Sequence, residues 1–570
     1  YFIARKGGKP MNGNCSTTKR KRSERLPNAA KLAFQWNHVD WKKAEAEVNR
    51  LQARIAKATK EKKWNTVKRL QYLLTHSYYA KLLAVQKVTT NKGKNTPGID
   101  KQRWSTPAQK MWAVLSLTDK NYKASPLRRV YIDKKNKKAK RPLGIPTMYD
   151  RAMQALYALA LDPVAETAAD PRSFGFRKGR CCQDACEYIF ADMSRRNVSP
   201  QWVLEGDIKG CFDHISHQWL IDNIPMDKSI LKQFLKAGFV FQGELFPTEA
   251  GTPQGGIISP ILANMALDGM QKLLSDRFHT NRLGKVDNRF RNAHKVNLVR
   301  YADDFIVTAA TKEIAEEAKE LIRDFLKTRG LELSEEKTLI THIDDGFDML
   351  GWTFRKFNGK LIVKPSKKSL KAFTASLSET ILGRGKAWKQ NLLIEKLNQQ
   401  IRGWTNYHRS VCASEAFTHI DYVLYELLWR WAKRRHPHKG KWWVSTNYWH
   451  RRGNRNWVFS TEDKELLRVD HIPIIRHTKV RMDANPYLEP EYFHARQFSR
   501  GMKRFTGRFK QIWKNQNGCC HHCGLPMDIQ DEREIFFKVP KSKGGKEEVR
   551  NMAYVHKYCN QLYFERRAKA

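Results

Sequence analysis

Short apolar runs rich in Val and Ile are interspersed along the chain with longer segments in which apolar residues recur every three or four positions. Runs of the first kind predict β-strands, and the longer spacing predicts amphipathic helices. The most distinctive pair of runs, 298–299 and 305–307, flanks the sequence Tyr-Ala-Asp-Asp at 301–304. This pattern predicts a tight hairpin with two adjacent aspartates at its turn.

Helical spacing dominates the first part of the chain. It extends from Trp41 to about Val88, and the apolar residues at intervals of three and four include Ala44, Val48, Leu51, Ile55 and Ala58. A break rich in Gly, Pro and Asn follows at 91–100, and Asp150 is predicted to cap a long apolar helix that runs to Ala165. Residues 1–35 are basic and lack periodicity, which predicts a disordered arm.

A second hairpin is predicted over residues 126–146. Two apolar runs enclose 134–141, which contains six basic residues. Such a hairpin could close over a triphosphate, or its tip could simply be solvated. A further strand is predicted to end at Asp207, with Phe212 five residues later, and a glycine-rich turn follows at 251–256.

The carboxylates at 303 and 304, with Asp207 as a candidate third, suggest a metal site. Carboxylates gathered at one turn repel each other unless a cation lies between them. Mg²⁺ is the usual cation, because it prefers oxygen ligands and is bound by one or two carboxylates together with substrate phosphates. A solvated Asp-Asp turn is the alternative for a pair considered alone.

Charge narrows the class of partner. The chain has 105 Lys and Arg against 57 Asp and Glu, a net charge of +48. Such an excess predicts a polyanionic partner, and nucleic acid would bind in a salt-dependent way. An anionic membrane is less suitable, because the basic residues run through the whole chain and neither a long apolar segment nor a signal-peptide core is expected.

Cysteines suggest a second metal site near the end of the sequence. Of the 10 cysteines, most are scattered, which indicates a reducing cytoplasm rather than a disulfide framework. The pairs Cys520-x2-Cys523 and His556-x2-Cys559 have the spacing of zinc ligands. Other candidate ligands crowd the first pair and leave the ligand set open, namely Cys519, His521 and His522.

Six blocks occur in a specific order. They are RPLGIP at 141–146, Asp207-x4-Phe212, PQGG at 253–256, YADD at 301–304, Leu333-Ser334-x2-Lys337 and Phe347-x2-Leu350-Gly351-Trp352. In this order they resemble the reverse-transcriptase blocks of bacterial group II intron-encoded proteins, the reverse transcriptase/maturases. The resemblance extends over roughly residues 40 to 565.

The resemblance implies a multidomain α+β fold: a right-hand polymerase with fingers and palm, a helical thumb/maturase domain, a basic DNA-binding segment and a small zinc-bound HNH-like ββα module. The expected boundaries are a disordered arm at 1–35, a helical extension and the start of the fingers at 36–125, fingers and palm at 126–360, the thumb/maturase domain at 361–440, the DNA-binding region at 441–508 and the HNH-like domain at 509–570.

The resemblance also implies site residues. Asp207, Asp303 and Asp304 would hold two Mg²⁺ ions for RNA-directed DNA synthesis. Lys134 and Arg141 match basic fingers positions that grip the triphosphate, Phe212 matches the aromatic residue that favours dNTPs, Gln254 would line the pocket, and Lys337 matches a lysine near the phosphates. Asp133 departs from the proline that the family often has there and puts an acid beside Lys134.

RNA contacts are expected in the helical domain, where aromatic and basic residues alternate. The candidates are Arg402, Tyr407, His408, Arg434 and Arg435, whereas Trp404 and Trp429 are expected to be structural. The implied partners are the intron RNA, target DNA and dNTPs, with no membrane. The implied location is the bacterial cytoplasm, on the nucleoid when the protein is on DNA. The alternative is a maturase alone, with a vestigial polymerase.

The C-terminal segment departs from its family. An HNH endonuclease needs a pair of histidines before the glycine loop at 544–545, but 534–538 is Glu-Ile-Phe-Phe-Lys, and a later family histidine is Asn560. Phenylalanine can neither accept a proton nor bind a metal. We therefore expect this module to bind DNA without cleaving it. The Cys/His spacing leads us to expect one Zn²⁺, held by Cys520, Cys523, His556 and Cys559.

Overall fold

The computed structural model describes residues 28–133, 140–196, 198–280, 286, 293–529 and 532–567. Most of the predicted N-terminal arm and Lys134 fall outside these ranges. Where the arm is described, the prediction of disorder is wrong, because a helix begins at Ala29. Asn28 caps it by accepting a hydrogen bond from the Ala30 amide.

A helical unit precedes the first hairpin. It contains α1 (Ala29–Asn37), α2 (Trp41–Lys60), α3 (Trp64–His76), α4 (Tyr78–Thr90) and α5 (Pro107–Ser116). The helical pattern predicted from Trp41 is thus confirmed as three successive helices. Its predicted apolar face is buried, with Leu51 only partly so.

The predicted hairpin at 126–146 is confirmed. Strands β1 (Leu127–Asp133) and β2 (Lys140–Ile145) are antiparallel, with Arg128 opposite Ile145. The long helix α6 (Met148–Ala168) follows. Asp150 is not its cap, because Thr147 occupies that position and accepts the Asp150 amide, while Asp150 lies in the first turn.

The central region carries the acidic residues. Its elements are α7 (Cys182–Met193), β3 (Trp202–Asp207), α8 (Cys211–His214), α9 (His217–Asn223), α10 (Lys228–Leu235), β4 (Phe239–Phe241), β5 (Glu244–Phe246), α11 (Ser259–Leu267), α12 (Met270–Phe278), β6 (Asn297–Tyr301), β7 (Asp304–Ala309), α13 (Lys312–Lys327) and β8 (Leu339–His342). Strands β4 and β5 extend the hairpin sheet in the order β2-β1-β4-β5, and the second sheet has the antiparallel order β6-β7-β3-β8.

The second sheet is covered on both faces. Phe305 and Val307 pack into a core shared with the N-terminal helices, whereas Val299 and Ile306 face a core shared with the later helices. Burial on both faces explains why these strands are continuous apolar runs. It also makes the register of the acidic residues rigid, since a slip by one residue would exchange the two faces.

The region after residue 345 is mostly helical. It contains β9 (Phe347–Met349), β10 (Trp352–Phe357), β11 (Lys360–Pro365), α14 (Lys367–Ser378) continued by a π-helical segment (Glu379–Arg384), α15 (Gln390–His408), α16 (Ser414–Arg435), α17 (Lys441–Tyr448), β12 (Trp449–Arg452), β13 (Arg455–Phe459) and α18 (Pro490–Arg504). No described helix has the length and apolarity needed to span a bilayer.

A small third core closes the described chain. Its elements are α19 (Gly507–Asn515), β14 (Arg533–Phe537), a 3-10 turn (Lys541–Lys543), β15 (Met552–His556) and α20 (Lys557–Arg567). The antiparallel pair β14-β15 followed by α20 is the ββα arrangement that the sequence predicted. Leu562 of α20 packs into the core of the N-terminal helices, and the Tyr558 ring lies 6.1 Å from that of Trp41.

Candidate functional site: an acidic turn and a Cys/His cluster

The acidic residues sit at a two-residue hairpin turn. Tyr301 pairs with Asp304, so Ala302 and Asp303 form the loop between β6 and β7. Ala302 has a φ of +59°, in the left-handed region that L-residues adopt only under strain. Gly175 presses against this turn, and a Cβ at that glycine would lie 2.3 Å from the Ala302 nitrogen. The glycine is therefore required by the close approach of two backbones.

Asp207 and Asp304 are direct cross-strand partners at the edge of the sheet. Residues opposite each other in an antiparallel pair have Cβ atoms about 4.5–5.5 Å apart on the same face. Burial, and then the charges of Asp303 and Asp207, raise the pKa of Asp304 to about 6. The three carboxylates therefore repel one another, as is typical of carboxylates that bind a cation together.

Lys337 offsets part of this repulsion. Its Nζ lies 2.6 Å from Asp207 Oδ2 and lowers the pKa of Asp304 through its charge. The turn that carries it is held by the Ser334 amide, which donates to the Asp207 carbonyl at 2.8 Å. About half of the Lys337 side chain is exposed, so its ammonium can also reach an incoming anion.

The donor chemistry of the acidic turn fits Mg²⁺, since all three side chains supply hard oxygen ligands. Among the described residues, however, the three carboxylates are not all within 4.8 Å of one another. Lys337 is paired with Asp207 in this arrangement.

A buried arginine supports the turn from behind. Arg300 is fully buried, and its guanidinium donates to the Asp268 carboxylate, to Asn264 Oδ1 at 3.2 Å and to the Ala302 carbonyl at 3.3 Å. It thus anchors the strained residue of the loop. Arg300 was not predicted from the sequence, although a single cation next to the apolar run 298–299 was a signal for a buried charge pair.

A cavity of about 300 Å³ lies between the β1-β2 hairpin, the Phe212 segment and the glycine-rich turn. Two predicted residues line it, Phe212 and Gln254. The Phe212 carbonyl accepts the Thr252 amide at 2.6 Å, and the Gln254 carbonyl accepts the Gly144 amide at 2.9 Å. These bonds join the hairpin, the Phe212 segment and the glycine-rich turn around one space.

The basic residues of this cavity differ from those predicted. Arg141 is exposed on β2 and does not line the cavity, and Lys134 is not among the described residues. Arg129 on β1 does line it, with its guanidinium 3.8 Å from the centre of the Phe239 ring. The buried Arg129 Nε has no hydrogen-bond partner in the described part of the chain. Arg129 was not predicted, because it lies inside the predicted strand rather than in its basic turn.

The predicted zinc ligands converge. The ligand atoms of Cys520, Cys523, His556 and Cys559 all lie within 4.8 Å of one another. The first two come from a turn that ends at Gly524, and the others from the junction of β15 and α20. Three thiols and an imidazole at this separation fit Zn²⁺. The other candidate ligands near Cys520 are not part of this cluster. Cys519 Sγ lies 3.7 Å from His494, and the His522 ring packs on Phe536.

The face of the ββα module has no catalytic histidine at 536–537. Phe536 is buried and its ring centre lies 4.9 Å from that of Tyr563, while Lys541 Nζ lies 5.1 Å above the Phe537 ring. Asn560 donates a 2.7 Å hydrogen bond to Glu534. Asn551 bonds to the backbone of Val539 and Lys546 and so closes the glycine loop.

The five predicted RNA contacts differ in exposure. Arg402, Arg434 and Arg435 are exposed. Tyr407 stacks on Trp352 with ring centres 4.7 Å apart and donates its hydroxyl to the Leu350 carbonyl. For His408 the prediction is wrong, because its side chain is only 1% exposed and lies against Trp404. Burial lowers the pKa of His408 to about 4.

Family models match four parts of the chain. They are the N-terminal domain of reverse transcriptase at 36–117, reverse transcriptase (RNA-dependent DNA polymerase) at 132–354, the group II intron maturase-specific domain at 370–449 and HNH endonuclease at 520–564. The fold is therefore that of a reverse transcriptase.

Similar proteins narrow the class of reverse transcriptase to which the chain belongs. The chain is 32% identical to the group II intron-encoded protein LtrA of Lactococcus lactis, over 57% of this chain and 63% of that protein. It is 30% identical to protein YkfC of Escherichia coli, over 50% of this chain and 82% of that protein. The chain belongs to the group II intron-encoded proteins. It matches less than two thirds of the length of LtrA.

A telomerase structure from Candida albicans is also similar, with 11% identity and a TM-score of 0.32 over 58% of this chain and 66% of that one. This likeness is too weak to support a conclusion.

Proposed function

We propose that the chain is an RNA-directed DNA polymerase that also binds its intron RNA as a maturase. The observation that carries the proposal is the register of the second sheet, which places Asp207 directly opposite Asp304, with Asp303 in the adjoining turn. Carboxylates grouped in this way are the ligand set of phosphoryl-transfer sites. The family models that match 132–354 and 370–449 support both halves of the proposal.

The three aspartates would hold two Mg²⁺ ions. When bound, the ions supply charge neutralisation for the triphosphate and lower the pKa of the primer 3′-hydroxyl. The protein itself provides position: the sheet register fixes Asp207 and Asp304, Arg300 and Gly175 hold the strained turn, and Lys337 presents an ammonium beside Asp207. No protein nucleophile is required, since positioning and charge stabilisation supply the catalysis.

The incoming nucleotide would occupy the cavity between the β1-β2 hairpin and the glycine-rich turn. Phe212 would crowd a ribose 2′-hydroxyl and favour a deoxyribose, and Gln254 would contact the nucleotide. Arg129 is added to the triphosphate ligands that the sequence suggested, Lys134 and Arg141, because it is a cation that lines this cavity. The helices α14 to α16 would form the thumb and maturase domain, and the exposed Arg402, Arg434 and Arg435 would contact the intron RNA.

Primer extension tests the proposal. The wild-type chain is expected to extend a DNA primer on an RNA template, and Asp303→Ala is expected to abolish extension. Intron splicing, measured on the same two proteins, distinguishes this proposal from a maturase without polymerase activity. Splicing that survives in Asp303→Ala while extension disappears would mean that the chain has both functions. A wild-type chain that assists splicing but never extends a primer would support a maturase with a vestigial polymerase.

We further propose that the C-terminal module binds zinc and DNA but does not cut. Phe536 and Phe537 occupy positions where the family's nuclease has histidines, and Asn560 is engaged with Glu534. Exposed lysines beside them leave a cationic surface, Lys538, Lys541, Lys543 and Lys546. A purified protein–RNA complex is expected to bind its target DNA without nicking it. Nicking that disappears in Phe537→Ala would refute this proposal.

A further inference from the structure

Phe176 combines a strained backbone with an exposed side chain. Its φ is +59°, in the left-handed region, where a bulky L-residue is an outlier. Its side chain is 55% exposed, so burial of the ring does little to compensate for the backbone conformation. Strained residues persist only where the surrounding structure holds them, and they concentrate at active sites and ligand contacts. The conformation of Phe176 therefore points to a role that its own packing does not explain.

The neighbours of Phe176 fix its backbone on both sides. Before it, Gly175 presses against Ala302 of the acidic turn. After it, Arg177 is buried and donates two hydrogen bonds to the Glu166 carboxylate, both at 2.7 Å. Buried contacts thus determine the conformation at position 176. The residue is also only one position away from a direct contact with the acidic turn.

The ring of Phe176 meets the ring of Phe212 edge to face. The two ring centres are 6.3 Å apart and the planes are inclined at 80°, within the range of favourable aromatic pairs. Phe212 is half-buried and packs against the larger core, which includes the N-terminal helices. It also lines the cavity proposed for the incoming nucleotide, whereas Phe176 does not. Phe176 is therefore placed to act on a nucleotide through Phe212 rather than by direct contact.

We propose that Phe176 is a positioning residue that holds the Phe212 ring against the sugar of the incoming nucleotide, and so determines how strongly the site discriminates between deoxyribose and ribose. A side chain whose rotamer is locked by a packed neighbour cannot retreat from a 2′-hydroxyl, whereas an unsupported ring can rotate away. The inference rests on the proposed function, because it concerns sugar selection by the same nucleotide cavity.

Sugar selectivity with and without the Phe176 ring tests the proposal. Phe176→Asn removes the ring and leaves a residue that tolerates the left-handed region. Selectivity is the ratio of kcat/KM for a dNTP to kcat/KM for the matching rNTP, measured by extension of a DNA primer on an RNA template. We expect this ratio to fall about tenfold, mainly because kcat/KM for the rNTP rises. Phe176→Tyr keeps the ring and should retain most of the selectivity.

Stability separates this role from a merely structural one. The unfolding temperature of Phe176→Asn should stay close to that of the wild type, since relief of backbone strain offsets the lost ring contact. Phe176→Gly, which adopts positive φ freely, provides the same test should the asparagine variant fail to fold. The matched control is Phe357→Asn, which removes a 46% exposed phenylalanine at the end of β10 and should leave selectivity unchanged.

A double-mutant cycle shows whether Phe176 acts through Phe212. Phe212→Ala alone should lower selectivity at least as much as Phe176→Asn does. Adding Phe176→Asn to it should cause little further change, because the ring that Phe176 positions is already absent. Losses that multiply would mean two independent contributions and would overturn the proposal.

The remaining outcomes distinguish this proposal from the function on which it rests. A wild type that extends a primer, with unchanged selectivity in Phe176→Asn, refutes the positioning role alone. A raised KM for primer–template at unchanged selectivity also refutes it, and would indicate that Phe176 contacts the primer instead. A wild type that extends no primer refutes the polymerase proposal, and this one with it.

Discussion

Two antiparallel strand pairs lie at the candidate metal sites of this protein, and their surroundings differ. The β6-β7 pair carries carboxylates at a strained turn, supported by a buried arginine and a glycine that permits close backbone approach. The β14-β15 pair leads into a Cys/His cluster and holds the buried Phe536 next to Phe537. The first pair presents oxygen donors at a strained turn. The second leads to sulfur and nitrogen donors beside phenylalanines that have no acid–base group, so its donor set suits a structural metal rather than acid–base chemistry.

The largest expected effect separates a catalytic aspartate pair from an ordinary one. Asp304→Asn is expected to reduce primer extension about a thousandfold or more, since a metal ligand contributes several kcal/mol to the transition state. Asp344 and Asp345 form another adjacent pair in an exposed turn and provide the control. Extension by Asp345→Asn should stay near that of the wild type; equal losses in both variants would contradict the assignment.

Removing the zinc site should have a structural effect instead. Cys559→Ser is expected to abolish bound zinc, measured by elemental analysis, and to unfold the ββα module, because binding of a structural zinc contributes to folding. Extension activity should persist. Cys519→Ser is the matched control and should retain one zinc per chain, since its thiol lies against His494 rather than in the cluster. Zinc loss in Cys519→Ser would mean that the ligand set is different.

Arg300 tests how far the acidic turn depends on its support. Arg300→Met leaves Asp268 buried without its partner and should lower the free energy of unfolding by about 3–5 kcal/mol, as measured by urea denaturation. Arg277→Met breaks the exposed ion pair with Glu317 and should cost about 0–1 kcal/mol. Similar costs in the two variants would show that Arg300 is not a structural anchor.

Low pH should have a smaller effect, on the stability of the region around the buried His408 of α15. The pKa of His408 is lowered to about 4 by burial, against about 6.5 when unfolded, so the folded state disfavours its protonation. The stability from this residue is present above pH 6.5 and is lost as pH falls toward 4, a change of up to about 3 kcal/mol. Urea denaturation of wild type and His408→Phe from pH 7.5 to 4.5 measures it. The difference between the two should change along this range; parallel curves would contradict the assigned burial.

The sequence predicted the hairpin and its acidic turn because strands buried on both faces produce unbroken apolar runs around a polar pair. It also predicted the Cys/His cluster, since the spacing within each of its two residue pairs is local. It missed Arg300, Gly175 and Arg129, whose roles depend on what approaches them in space. The same reason explains the error at His408: a histidine among aromatic and basic residues resembles an RNA contact until the packing of Trp404 covers it.

The contact of α20 with the N-terminal helices has a consequence for how the protein is made. Leu562 completes a core whose other buried members belong to helices, strands and loops synthesised far earlier, the N-terminal helices among them. During translation those helices must wait with an apolar surface uncovered until nearly all of the described chain has left the ribosome. Contacts between distant parts of a chain form late in folding, and exposed apolar surface in the interval favours aggregation. Premature termination before α20 therefore leaves a nascent chain whose N-terminal helices still lack the last part of their cover.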